Sequence, residues 1–139
     1  MQGFTPKISI IILSFNQAEY IQKAINSALT QTYQNLEIII SDNGSTDNTK
    51  QIIKSFLYDD RVIFLEYSEN QSISLRQNQA ANKASGEFIT VLYADDYYLP
   101  SKIEEQVRVF SSLTEEWGVV HGPGMQLINE SGELESLSS

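Results

Sequence analysis

Cysteine is absent from the 139 residues. That excludes a disulfide framework, a thiolate zinc site and a cysteine nucleophile, and it permits a reducing compartment. Positive charge is also scarce: 9 Lys+Arg stand against 18 Asp+Glu, for a net charge of −9 and a pI of about 4.4. Such a balance disfavours non-specific binding to nucleic acid or to an anionic membrane surface. Histidine occurs once, as His121, with no second histidine or carboxylate at ligand spacing, and it reads as structural. The longest apolar run, Ile10-Ile11-Ile12-Leu13, has 4 residues, where about 20 are needed to cross a bilayer. Residues 1–7 lack the apolar stretch of a signal peptide. A soluble, cytoplasmic protein is expected, with no membrane span and no nucleic-acid partner.

Hydrophobic content of 41% and aromatic content of 10% suit a globular chain rather than a disordered acidic tail. The length fits one domain over residues 1–139, with a core at about 7–130 and a polar tail at 131–139. No repeat or linker-like tract interrupts it.

Ile8-Ser9-Ile10-Ile11-Ile12-Leu13 and Leu36-Glu37-Ile38-Ile39-Ile40 are short, apolar and β-branched, as strands buried on both faces are. Val62-Ile63-Phe64-Leu65 and Phe88-Ile89-Thr90-Val91-Leu92-Tyr93 supply two more strands. Between them lie helical patterns. Asn16 and Glu19 have the spacing of an N-cap pair, followed by a stripe of Tyr20, Ile21, Ala24, Ile25, Ala28 and Leu29. A second helix is expected from about Asp47, with Ile52, Ile53, Phe56 and Leu57 inward, a third over residues 74–84, and a fourth after Pro100 carrying Ile103, Val107 and Phe110. Trp117 reads as core. Val119-Val120 and Met125-Gln126-Leu127-Ile128 are short strand candidates, Glu130-Ser131-Gly132-Glu133 is a turn, and residues 134–139 are expected to fray.

Alternating strands and helices imply an α/β fold with a mainly parallel sheet flanked by helices. Ligands of such sheets sit at the carboxyl ends of the strands. The rule selects three loops: Ser14-Phe15-Asn16, Asp42-Asn43-Gly44-Ser45 and Asp95-Asp96. Adjacent carboxylates repel unless compensated, and a hard divalent cation shared with substrate phosphates would compensate them. The chain has neither a P-loop nor a GxGxxG sequence to hold phosphate otherwise. Spacing alone leaves plainer readings open. Asp95 and Asp96 could simply lead into the next helix, Asn43-Gly44 could be only a turn before a cap at Thr46 or Asp47, Phe15 could be core, and Arg76 a solvated helix residue.

Taken in order, these segments resemble the N-terminal half of the family-2 type inverting glycosyltransferases. Ile8 to Asn16 looks like that family's opening strand. Ala28-Leu29-Thr30-Gln31-Thr32-Tyr33 with Leu36 to Ile40 is similar to its helix and second strand. Asp42-Asn43-Gly44-Ser45-Thr46-Asp47 resembles its Asp-Asp-Gly-Ser-Thr-Asp segment, and Asn70, Asn78, Ala84, Gly86, Glu87 and Phe88 keep the spacing that follows. Tyr93-Ala94-Asp95-Asp96 resembles its DxD-type metal motif. The resemblance covers nearly all of residues 7–135.

It implies the GT-A (Rossmann-like) nucleotide-diphospho-sugar transferase fold, in truncated form. It also implies transfer of a sugar from a nucleoside-diphosphate sugar, UDP- or dTDP-linked, to a saccharide or other hydroxyl acceptor, with inversion. Leu13, Ser14 and Phe15 are then expected to hold and stack on the base, Asp42 and Asn43 to meet the base's ring N–H, Arg76 to contact the nucleotide, and Asp95 to lie near the ribose. Asp96 is expected to coordinate Mn²⁺ or Mg²⁺ on the diphosphate, a Lewis-acid role. Phe15 and Asn43 stand where Tyr and a second acid are usual, and Tyr93 where the fullest form of the motif has another carboxylate. No residue is a convincing catalytic base, which is expected beyond the chain. A non-catalytic nucleotide-binding or interaction module of the same fold is the alternative. A phosphoacceptor receiver domain fits poorly, because the first strand ends in Leu13-Ser14-Phe15 rather than in acids. Exposed apolar surface on a donor-binding half would favour a homo-oligomer.

Overall fold

The computed structural model describes residues 3–114, 116–120, 125–127 and 134–136. Four parallel strands form one sheet: β1 (Ile8–Ser14), β2 (Leu36–Asp42), β3 (Val62–Glu66) and β4 (Phe88–Tyr93), in the order β3-β2-β1-β4. Every residue of β1 and β2 is buried. Side-chain alternation explains how apolar runs serve both faces. Ile8, Ile10, Ile12, Ile38 and Ile40 enter one core cluster, and Ile11, Leu13 and Ile39 the other.

Three helices cover the first face: α1 (Ile21–Leu29), α2 (Thr49–Lys54) and α4 (Lys102–Ser112). They contribute Ile21, Ala24, Ile25 and Ala28 from α1, Ile53 from α2, and Ile103 and Val107 from α4. The second face is covered by α3 (Ile73–Lys83), whose small Ala80 and Ala81, with Ala84 just beyond, pack against Ile11, Leu13 and Ile39. Ser72 begins α3, its Oγ accepting the Leu75 N–H at 3.2 Å. Phe110 of α4 stacks on Phe88 of β4, ring centroids 4.3 Å apart.

The winding positions the site. From β1 through β3 the chain moves steadily to one side; it then crosses by α3 on the opposite face and returns as β4 on the far side of β1. That reversal opens a crevice at the carboxyl ends of β1 and β4. Register puts Ser14 beside Asp42 and Leu13 beside Tyr93, so all three loops selected from the sequence share one edge.

Several local expectations are corrected. Asn16 does not cap α1, which begins at Ile21 after Tyr20, a residue 48% exposed and outside the stripe. Leu57 is exposed rather than inward, and Trp117 is 59% exposed rather than core. Val119 and Val120 form no strand. Residues 134–136, expected to fray, make an antiparallel pair: β5 (Met125–Leu127) faces β6 (Leu134–Ser136), with Gln126 opposite Glu135. His121, Ile128, the turn at residues 130–133 and residues 137–139 lie outside the described residues.

Candidate functional site

The loops after β1 and β2 are stitched together before any ligand is considered. Asp42 is fully buried. Its carboxylate accepts the Ser45 N–H at 2.9 Å, the Ser45 hydroxyl, and more distantly the Ser14 hydroxyl at 3.4 Å. Ser45 Oγ in turn accepts the Asn16 N–H at 2.8 Å, and Asn16 Oδ1 accepts the Thr46 N–H at 2.8 Å. Asn16 does this from a left-handed backbone conformation, φ 49°, which asparagine adopts more readily than most residues. Gly44 has φ +81°, and a Cβ there would lie 2.7 Å from the carbonyl carbon of Glu69 and 2.8 Å from the Asn70 nitrogen. Only glycine fits that approach.

Behind this frame lies a cleft of about 280 Å³. The end of β1 contributes Leu13, Ser14 and Phe15. The end of β2 contributes Ser41 and Asn43, the start of α3 Ile73 and Arg76, and the end of β4 Tyr93, Ala94 and Asp95. Gln17 completes the lining. Phe15, weighed above as core, is 43% exposed and offers a ring to whatever enters.

Arg76, for which spacing left a solvated helix position open and the resemblance implied a nucleotide contact, is not solvated. It is 4% exposed. Its Nε donates to Asn43 Oδ1 at 2.8 Å, one terminal nitrogen to the Glu69 carbonyl at 2.6 Å and the other to Gln79 Oε1 at 3.0 Å, with its guanidinium 3.7 Å from the centre of the Tyr67 ring. All of these partners are neutral, and none of the ion pairs among the described residues includes Arg76. A buried cation with neutral partners keeps its field for an incoming anion.

Of the residues selected from the sequence, Leu13, Ser14, Phe15, Asn43, Arg76 and Asp95 line the cleft; Asp42 and Asp96 do not. Asp42 turns its oxygens to Ser14 and Ser45, whereas Asn43 bonds Arg76 of α3 and lines the cleft. Asp96 follows Asp95 in the exposed turn after β4. Partial burial, and then the charge of Asp95, raise its carboxyl above the ordinary value. No cluster of three or more His, Cys, Asp or Glu side chains exists among the described residues. Asp96 offers carboxylate oxygens only, a donor chemistry that fits a hard divalent cation whose remaining ligands would be phosphate oxygens and water.

Gln31, which residue-by-residue reading passed over, holds this turn in place. Its Nε2 donates to the Leu99 carbonyl at 2.8 Å and its Oε1 accepts the Ile103 N–H at 3.0 Å. Together with the bond from Thr32 N–H to the Pro100 carbonyl at 2.9 Å, it ties the end of α1 to the segment after Asp96. A polar residue closing an apolar helical stripe was the available signal.

A parallel sheet whose reversal crevice is lined by an exposed ring and a buried cation places the chain among the α/β proteins. Comparison with known proteins narrows this class. Residues 9–123 match Glycosyl transferase family 2, and the chain belongs to that family. It is 39% identical over 125 residues to an uncharacterised glycosyltransferase of Rickettsia conorii, covering 90% of this chain and 20% of the relative. It is 34% identical over 131 residues to the GalNAc(5)-diNAcBac-PP-undecaprenol beta-1,3-glucosyltransferase of Campylobacter jejuni, covering 93% of this chain and 41% of the relative. Among solved structures, TarS of S. aureus (residues 1–349, in complex with UDP) superposes with a TM-score of 0.69 at 25% identity, over 76% of this chain and 32% of that one. The fold is GT-A, and the chain spans 20% to 41% of the length of these two sequence relatives. Among the described residues no helix is long and apolar enough to cross a membrane.

Proposed function

We propose that this chain is the donor-binding region of a glycosyltransferase that moves a sugar from a pyrimidine nucleoside diphosphate to an acceptor hydroxyl, with inversion and with a divalent cation. One observation carries the reading. The cleft at the sheet's reversal brings together an exposed aromatic ring, Phe15, a buried guanidinium with only neutral partners, Arg76, and the acid Asp95. Phe15 supplies a stacking face for the base. Arg76 fixes Asn43 and lends positive potential to the diphosphate, and Asp95 meets the ribose hydroxyls. The glucosyltransferase name of the Campylobacter relative and the UDP bound to TarS support the same substrate class.

Asp96 would hold Mn²⁺ or Mg²⁺, which when bound stabilises the departing diphosphate as a Lewis acid. Calorimetric titration with UDP, with and without Mn²⁺, tests this. Mn²⁺ is expected to raise UDP affinity at least about tenfold, and Asp96→Ala to remove most of that gain while leaving metal-free binding intact. Equal affinity with and without metal, or an Asp96→Ala protein with full metal dependence, overturns the role of Asp96. Failure of the wild-type chain to bind UDP at all overturns the nucleotide reading.

A further inference from the structure

Along the α3 side of β2 the side chains run Ile39, Ser41 and, one residue past the strand's end, Asn43, and the last two line the cleft. Ser41 is fully buried, with Leu13 and Leu65 beside it in the neighbouring strands. Its Oγ is the one buried side-chain nitrogen or oxygen among the described residues that has no hydrogen-bond partner. A buried hydroxyl without a partner is worse for folding than a methyl group in the same place. The position therefore carries a polar atom that the fold itself does not use.

Asn43 narrows what that atom can read. Its Oδ1 accepts from Gln71 N at 2.9 Å and from Arg76 Nε at 2.8 Å, which occupies both lone pairs. Two N–H donors converging on one amide atom fix it as the oxygen. The Nδ2 gives one hydrogen to the Gln71 carbonyl at 2.7 Å and keeps the second. Asn43 therefore has no acceptor left for a ring N–H, contrary to the expectation from sequence. The unused groups on this wall are the Ser41 hydroxyl, which can donate and also accept, and one Asn43 amide hydrogen, a donor.

We propose that Ser41 and Asn43 form a donor wall that reads the carbonyl oxygens of the pyrimidine base, with Ser41 as a specificity-determining contact. The inference rests on the nucleotide reading above and adds to it the edge of the base that is recognised. Bulk water does not reach Ser41 Oγ, and Ser41 lines the cleft together with the exposed Phe15 and Ile73, so the proposal requires lining side chains to shift when a base enters.

The test is titration of the wild-type chain and of Ser41→Ala with UDP, 2-thio-UDP and 4-thio-UDP in the presence of Mn²⁺, alongside thermal unfolding. The wild type is expected to lose about 5- to 10-fold in affinity when one of the two carbonyl oxygens becomes sulfur. Ser41→Ala is expected to melt at or above the wild-type temperature, to bind UDP about 5- to 10-fold more weakly, and to be indifferent to that same sulfur. A Ser41→Ala protein that binds UDP as tightly as the wild type, or that still discriminates against sulfur, overturns the proposal. Both results leave the nucleotide reading standing, whereas a wild-type chain that ignores UDP removes the nucleotide reading first.

Discussion

Glu37 lies on β2 at the end of the sheet opposite the cleft, and its carboxylate can be made to report on the fold alone. It is 5% exposed. One oxygen accepts the Ser9 hydroxyl and the Ser85 N–H at 2.6 Å; the other accepts the Ser85 hydroxyl at 2.8 Å and pairs with Lys7 Nζ at 3.2 Å. Burial alone would raise the carboxyl, but these bonds from Ser9, Ser85 and Lys7 outweigh it and bring the value from 4.5 down to about 2. At about 1.4 kcal/mol for each tenfold change in proton affinity, the ionised group stabilises the fold by about 3 kcal/mol at neutral pH. The folded value is depressed, so this stability is fully present above about pH 4.5 and is lost as pH falls toward 2. In Glu37→Gln one oxygen becomes an amide that cannot accept from Lys7. Urea unfolding of both proteins from pH 7 to pH 2 gives a difference curve in which carboxylates common to both cancel. Glu37→Gln is expected to be about 2–3 kcal/mol less stable at pH 7, with the difference closing as pH falls through the window below 4.5. A constant gap across the whole range, or no gap at pH 7, would refute the assignment of the stability to the ionised carboxylate.

Two further substitutions address the cleft. Arg76→Lys keeps the charge but loses the Nε bond to Asn43 and the stack on Tyr67. UDP affinity is expected to fall about tenfold and stability by about 1–2 kcal/mol; a protein unchanged in both titration and thermal melt would show that the guanidinium geometry is unimportant. Gly44→Ala forces a Cβ to within 2.7 Å of the Glu69 carbonyl carbon at φ +81°. The left-handed conformation alone costs about 1–2 kcal/mol, and the backbone displacement adds to it, so a clear drop in the thermal midpoint with weakened UDP binding is expected; wild-type values of both would contradict the close packing.

What the sequence made legible was whatever depended on neighbours along the chain. The strand Phe88–Tyr93 has the bounds read from its residues, and β1 and β2 announce themselves because burial on both faces requires uninterrupted apolar runs. What it hid depended on partners far away. Asn16 has the local spacing of a helix cap, yet its oxygen goes to Thr46, some thirty residues on. Arg76 looks solvated until Asn43 and Glu69 are folded around it. Asp42 and Asn43 look like a pair in the sequence, although alternation carried past the end of β2 turns neighbouring side chains opposite ways. Once α3 is known to cover the Ile39 side, alternation alone assigns Asn43 to the cleft and Asp42 to the loop.

The charge balance gives this alternation its functional weight. A chain of net charge −9 is a poor host for a diphosphate unless positive charge is concentrated where the phosphates sit. Four of the nine cations are paired with acids: Lys7 with Glu37, Lys50 and Lys54 with Glu66, and Arg61 with Asp59. Arg76 is different, because amide and carbonyl dipoles hold it in place without cancelling its charge. Had the residue at 43 been the second acid usual in the resembling family, Arg76 would be neutralised beside the cleft. Asparagine keeps the guanidinium oriented and its field intact, at the expense of an acceptor for the base. On the proposed reading, asparagine at residue 43 would link the two halves of the donor: it would favour the phosphates through Arg76 and leave the base to be read through donors, Ser41 among them.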